Sequence, residues 1–82
     1  MHPDQIRSLI ESGIPGARVR VLGDDGVHFE AVVACEDFRG LSTVKQHQLV
    51  YRTLGARMGT DIHALALKTC TPEEWQSVTA EA

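Results

Sequence analysis

One long helical period lies between two runs of strand character, and this arrangement limits the topology more than any other feature. Val27 to Cys35 alternates, with Phe29, Ala31, Val33 and Cys35 on one face and His28, Glu30, Val32 and Ala34 on the other. Ile62 to Thr69 is nearly all apolar, as expected of a strand covered on both faces. Strand, long helix and strand make a crossover, so the two strands are expected to run parallel with a right-handed connection.

The helix is predicted over Ser42 to Met58, with Ser42 or Thr43 as N-cap and Gly59 as the left-handed residue after its end. At 100° per residue, Val44, His47, Tyr51, Leu54 and Met58 form one stripe with Val50 at its edge. That stripe is expected to face the sheet. His47 is then a structural core histidine whose ring N–H is satisfied by a backbone carbonyl. Lys45, Gln48 and Arg52 fall on the solvent side.

Upstream, Pro3 suits the first position of a helix whose apolar face is Ile6, Leu9 and Ile10. Gly13 suits its C′ position and Ile14 the C″ contact with Leu9. Ala17 to Gly23 reads as a strand with Val19 and Val21 inward and Arg18 and Arg20 outward. Gly23-Asp24-Asp25-Gly26 is a turn, so this strand and the next form a hairpin with an exposed, mobile loop. Downstream, Thr71, Pro72 and Glu74 form a capping box that opens a last helix, which Trp75 anchors. The order is α-β-β-α-β-α, an α+β sandwich with a three-stranded mixed sheet and its helices packed on one side.

The 82 residues are read as a single domain, 1–82. A formal charge of -3 argues against a dedicated nucleic-acid binder. No apolar run approaches the roughly 20 residues that span a bilayer, and the N-terminus lacks a signal-peptide pattern. A cytoplasmic location is the resulting expectation, with Cys35 and Cys70 as reduced thiols. Cys35 reads as a small buried hydrophobe. Cys70 precedes a helix N-terminus that can lower a thiol pKa, which makes it a third candidate for metal or redox work. His63 opens the last strand directly after the exit loop. It reads either as an iron ligand projecting to solvent or as a ring packed at the sheet edge on a backbone carbonyl. No Ser/His/Asp constellation, phosphate-cradling glycine loop or zinc helix is present, so no enzyme is expected.

Three stretches together resemble the BolA family: His28-Phe29-Glu30-Ala31-Val32-Val33, Phe38-Arg39-Gly40 leading into Lys45 to Tyr51, and Ile62-His63 through Thr69 followed by Thr71 to Trp75. They cover nearly the whole chain in order and spacing, and its short ends resemble the compact bacterial branch. The resemblance implies a class II KH-like fold and an adaptor that binds a monothiol glutaredoxin, sharing with it a 2Fe-2S cluster and glutathione. It implies a role in iron homeostasis or stress response. Within it, His63 matches a cluster ligand, and His28 matches the histidine that stands directly before the phenylalanine where other members carry a loop cysteine. The isolated chain is then expected to carry no cofactor and to be a monomer or a weak homodimer. The alternative implied by the family is DNA-binding transcriptional regulation, with Arg39, Lys45 and Arg52 on phosphates. A KH G-x-x-G clamp is absent, since Gly40 stands alone.

Overall fold

The computed structural model describes residues 1–80. Its elements are α1 (Pro3–Gly13), β1 (Arg18–Leu22), β2 (His28–Ala34), α2 (Thr43–Leu54), β3 (Ala64–Cys70) and α3 (Trp75–Ala80), with short 3-10 turns before α2, after α2 and before α3. The sheet order is β1-β2-β3. The β1–β2 pair is antiparallel, and β2 and β3 are parallel with His28 opposite Ala64. The crossover through α2 therefore produces the parallel pair expected of it.

Inward residues of the strands meet α1 and α2. Ile6, Ile10, Phe29, Val33, Phe38, Val50, Leu54 and Ile62 form the core, with Val19, Val21, Leu65 and Leu67 packed against it. Gly13 sits exposed where α1 meets α2. It does not adopt the left-handed conformation expected of a C′ residue; Ile14 caps the helix, its N–H donating to Ile10 O. A Cβ on Gly13 would lie 2.5 Å from Thr53 Cγ2 and 2.8 Å from Thr53 Cβ, so the glycine permits the close approach of α1 to α2. At the other end of α1, His2 is the N-cap, its Nδ1 accepting from Asp4 N.

The central helix is shorter than its periodicity suggested. Ser42 caps it as expected, with Oγ accepting from Lys45 N at 3.2 Å. It ends at Leu54, because Gly55 takes φ 55 and its N–H donates to Tyr51 O. Gly59, at φ 87, instead turns the chain after the following 3-10 segment.

The buried stripe of α2 also differs from the expected one. Val50 and Leu54 are fully buried, with Gln46, Leu49 and Thr53 half-buried beside them, whereas Val44 is 66% exposed and Tyr51 lies at the surface. The helix is turned by roughly a third of a revolution from the orientation that its most apolar residues favour. The reason is polar satisfaction. Gln46 Nε2 donates to Phe38 O at 3.1 Å and Leu41 O at 3.0 Å, and its Oε1 accepts from Thr69 Oγ1 at 2.6 Å. Thr53 Oγ1 donates to Val50 O. Two polar residues thus take inward positions at no cost in unmade hydrogen bonds. His47 is displaced with the stripe: half-buried, it rests edge-on against Tyr51 with ring centroids 6.4 Å apart.

The helices are not all on one side. Arg20 faces away from Val19 and Val21, and its Nη1 donates to Thr79 O on α3 at 3.3 Å. Ala34 and Cys70, on the same outward face, are buried outside the main core cluster. The final helix therefore covers one end of the outer face, while α1 and α2 cover the inner one. The capping box forms as expected, Thr71 N and Oγ1 both donating to Glu74 Oε1, and the 3-10 turn Pro72–Glu74 leads into α3. Trp75, the first residue of α3, is half-buried. Beyond the reach of α3, Ala64, Ala66 and Lys68 of β3 are exposed, so β3 is covered on one face along most of its length rather than on both.

Candidate functional site

The uncovered end of the outer face is where the two candidate ligands meet. Ile62 is fully buried, with its N–H on Arg57 O at 2.9 Å and its carbonyl accepting from Gly59 N at 2.8 Å. This anchors the exit loop, and the next residue, His63, emerges exposed. The backbone N–H groups of His63 and Ala64 both donate to Val27 O, at 3.0 and 3.2 Å. His28 follows Val27, so the strand register brings the two histidines together. Their rings lie 6.1 Å apart, centroid to centroid, edge to face. His63 is thus exposed, with its ring against His28.

Asp25 ties the end of the hairpin loop to the start of β2. Asp25 Oδ1 accepts from Val27 N at 3.0 Å and His28 N at 2.8 Å, and Oδ2 lies 2.7 Å from His28 Nδ1. The bond from the His28 backbone, then those from Val27 and the His28 ring, hold the Asp25 carboxyl well below the usual carboxylate range. Sequence reasoning passed over Asp25 as one of several turn residues. The available signal was an Asp two residues before Val27, the spacing of an Asx turn, and three before the strand-opening His28. Beside the histidines an open cleft of about 700 Å³ runs along the sheet between Leu22, Asp24, His28, Glu30, Ala64 and Ala66. Leu22, one of its lining residues, is exposed, and so is Val27, which directly precedes His28.

Cys70 is not brought to this site. It pairs with Ala34 at the far end of the strands, is 4% exposed, and burial, then the charge of Glu74, pushes its thiol up. That environment opposes the thiolate required for metal or redox work. Cys35 is buried, as its strand face suggested. Among the described residues no three His, Cys, Asp or Glu side chains gather as a complete metal-binding group. At this tip the described residues bring two imidazoles together.

The basic residues divide. Arg39 is engaged with Glu36 and, through Nη2, with both oxygens of Glu73 at 2.7 Å. Lys45 and Arg52 are exposed on α2, a helix without an acidic residue.

Residues 11–74 match the family model described as BolA-like protein. The chain belongs to the BolA-like family. It is 37% identical over 76 residues to the acid stress protein IbaG of Escherichia coli K12, covering 92% of this chain and 89% of that protein. It is 42% identical over 50 residues to the DNA-binding transcriptional regulator BolA of Haemophilus influenzae, covering 61% of this chain and 48% of the regulator. The chain thus spans about half the length of that regulator. A bolA protein homologue from Coxiella burnetii superposes with a TM-score of 0.82 at 47% identity, covering 93% of this chain and 97% of that one. The BolA domain of SufE1 from Arabidopsis thaliana superposes at 0.72 with 29% identity, covering 88% and 93%. The BolA fold, a mixed three-stranded sheet with three helices, is shared. No helix among the described residues is long and apolar enough to cross a membrane.

Proposed function

We propose that this BolA-like chain is an adaptor in iron–sulfur cluster handling that docks on a monothiol glutaredoxin and shares a 2Fe-2S cluster with it. The observation that carries this reading is the pairing of His28 and His63 at one exposed tip. Neutral imidazole is a good iron ligand, and two of them leave a coordination shell that a partner completes. The cysteine of the glutaredoxin and a glutathione would supply the thiolates. Bound there, the cluster would supply a redox-active iron–sulfur unit whose two nitrogen ligands raise its potential above that of an all-cysteine site. His28 and His63 would hold iron, and the exposed Leu22 and Val27 would offer apolar contact to the partner. A cytoplasmic setting suits this role.

A second reading, DNA binding in transcriptional regulation, is favoured by one observation. Lys45 and Arg52 are exposed cations seven positions apart on an acid-free helix, and so lie on one face. Arg39 contributes less, because two glutamates already engage its guanidinium.

One experiment tests both. The chain is titrated with cluster-loaded glutaredoxin, followed by visible circular dichroism, and in parallel with duplex DNA at low salt. His63→Ala and His28→Ala are each expected to change the cluster spectrum while the protein remains folded. Unchanged spectra in both variants would remove the adaptor reading. Lys45→Glu with Arg52→Glu is expected to leave the cluster spectrum alone and to lower the salt slope of any DNA binding. If the wild-type chain binds no duplex at low salt, the regulator reading fails.

A further inference from the structure

We infer that Asp25 is a positioning residue for the histidine cleft: it holds His28 in the Nδ1–H tautomer and leaves Nε2 as the open electron pair of the ring. The functional consequence rests on the reading of His28 as an iron ligand given above; the tautomer itself does not.

The argument begins with how the two carboxylate oxygens divide their work. Asp25 Oδ1 takes two backbone N–H bonds, from Val27 at 3.0 Å and His28 at 2.8 Å. Its partner Oδ2 meets His28 Nδ1 at 2.7 Å. An ionised carboxylate has no proton to donate, so Nδ1 carries the hydrogen and Nε2 of the neutral ring carries the lone pair. The same residue therefore fixes the backbone on which the ring sits, the rotation of the ring and its tautomer. Metal-binding histidines commonly give their second N–H to a carboxylate, which orients the ring and raises its basicity as a ligand. His63, the other histidine at this tip, is tied through its backbone N–H to Val27 O, and no carboxylate engages its ring among the described residues. The two candidate ligands thus differ: one is preset by a carboxylate, and the other meets only the His28 ring edge-on.

Asp25→Asn separates tautomer from fold. The amide oxygen keeps the place of Oδ1 on the two backbone N–H groups. The amide NH2 then replaces Oδ2 opposite Nδ1, so Nδ1 becomes the acceptor and the ring proton moves to Nε2. Long-range proton–nitrogen NMR on the full chain, above the imidazole titration range, is expected to show Nδ1–H in the wild type and Nε2–H in the variant, with the sheet amides unmoved. An Nε2–H tautomer in the wild type, or the same tautomer in both chains, would overturn the inference. The second readout is the cluster-loaded complex with glutaredoxin. There Asp25→Asn is expected to weaken cluster retention by roughly 10–100-fold, the range for losing such an outer partner. Added to His28→Ala, it is expected to cause no further loss. Full retention in Asp25→Asn, or a loss that adds to that of His28→Ala, would defeat the positioning role. If the wild-type complex holds no cluster, the proposed function fails, while the NMR comparison still decides the assignment of Asp25.

Discussion

At the scale of the residue, small chemical details decide positions that hydrophobicity leaves open. Gln46 is turned inward because three groups, Phe38 O, Leu41 O and Thr69 Oγ1, meet its amide. Ile62, buried beneath the exit loop, is what makes His63 an exposed residue. Gly13 is required by contact rather than by conformation, since a Cβ there would press on Thr53. Gly13→Ala gains helix propensity of about 0.5–1 kcal/mol. It also introduces an overlap of the kind that costs about 1–3 kcal/mol in a packed site. We expect net destabilisation, read as a lower urea midpoint with unchanged slope. A midpoint above that of the wild type would show that α1 and α2 separate freely.

At the scale of the element, α2 shows how a helix can satisfy its ends and still face an unexpected way. Its N-cap and its position between parallel strands follow from residues in the sequence, but its rotation follows from what its neighbours offer. The exposed Val44 and Tyr51, with half-buried His47 beside them, and the buried stripe of Val50 and Leu54 make different demands. Val50→Ala is expected to cost about 2 kcal/mol, from lost apolar burial and the cavity left behind. Val44→Asp is expected to remain within about 0.5 kcal/mol, as for a surface change. Chemical denaturation of the two variants checks the orientation; the reverse ranking would restore the stripe that periodicity suggests.

At the scale of the whole molecule, one charged network joins distant parts of the chain. Arg39, in the loop before α2, engages Glu36 in its own turn and Glu73 in the turn before α3. The Arg39 bonds are the main reason that Glu36 and Glu73 have lowered pKa values, and the Thr71 bonds do the same for Glu74. A carboxylate with a lowered folded pKa contributes stability above the ordinary glutamate range. That contribution fades as pH falls through the range and is gone below the lowered folded value. Arg39→Gln is therefore expected to flatten the acid side of the stability profile. Urea midpoints between neutral pH and about pH 3 check this. Parallel profiles for variant and wild type would mean that these exposed pairs are fully screened.

Much of this protein is legible from the chain alone. Alternation set the faces of β2, the crossover set the parallel pair, and Ser42 and Thr71 marked helix starts, because these depend on neighbours in sequence. His28 and His63 were visible as candidates through the family resemblance. Their 6.1 Å separation was not, because it arises from a β2–β3 register between residues 35 positions apart. The orientation of α2 and the crossing of α3 to the outer face belong to the same class. Each is decided by which polar groups find partners once the chain has closed on itself, and hydrophobic period carries no record of those partners. Local order and strand pairing were thus determined by the sequence itself, whereas the tertiary structure decided which faces are covered and which side chains meet.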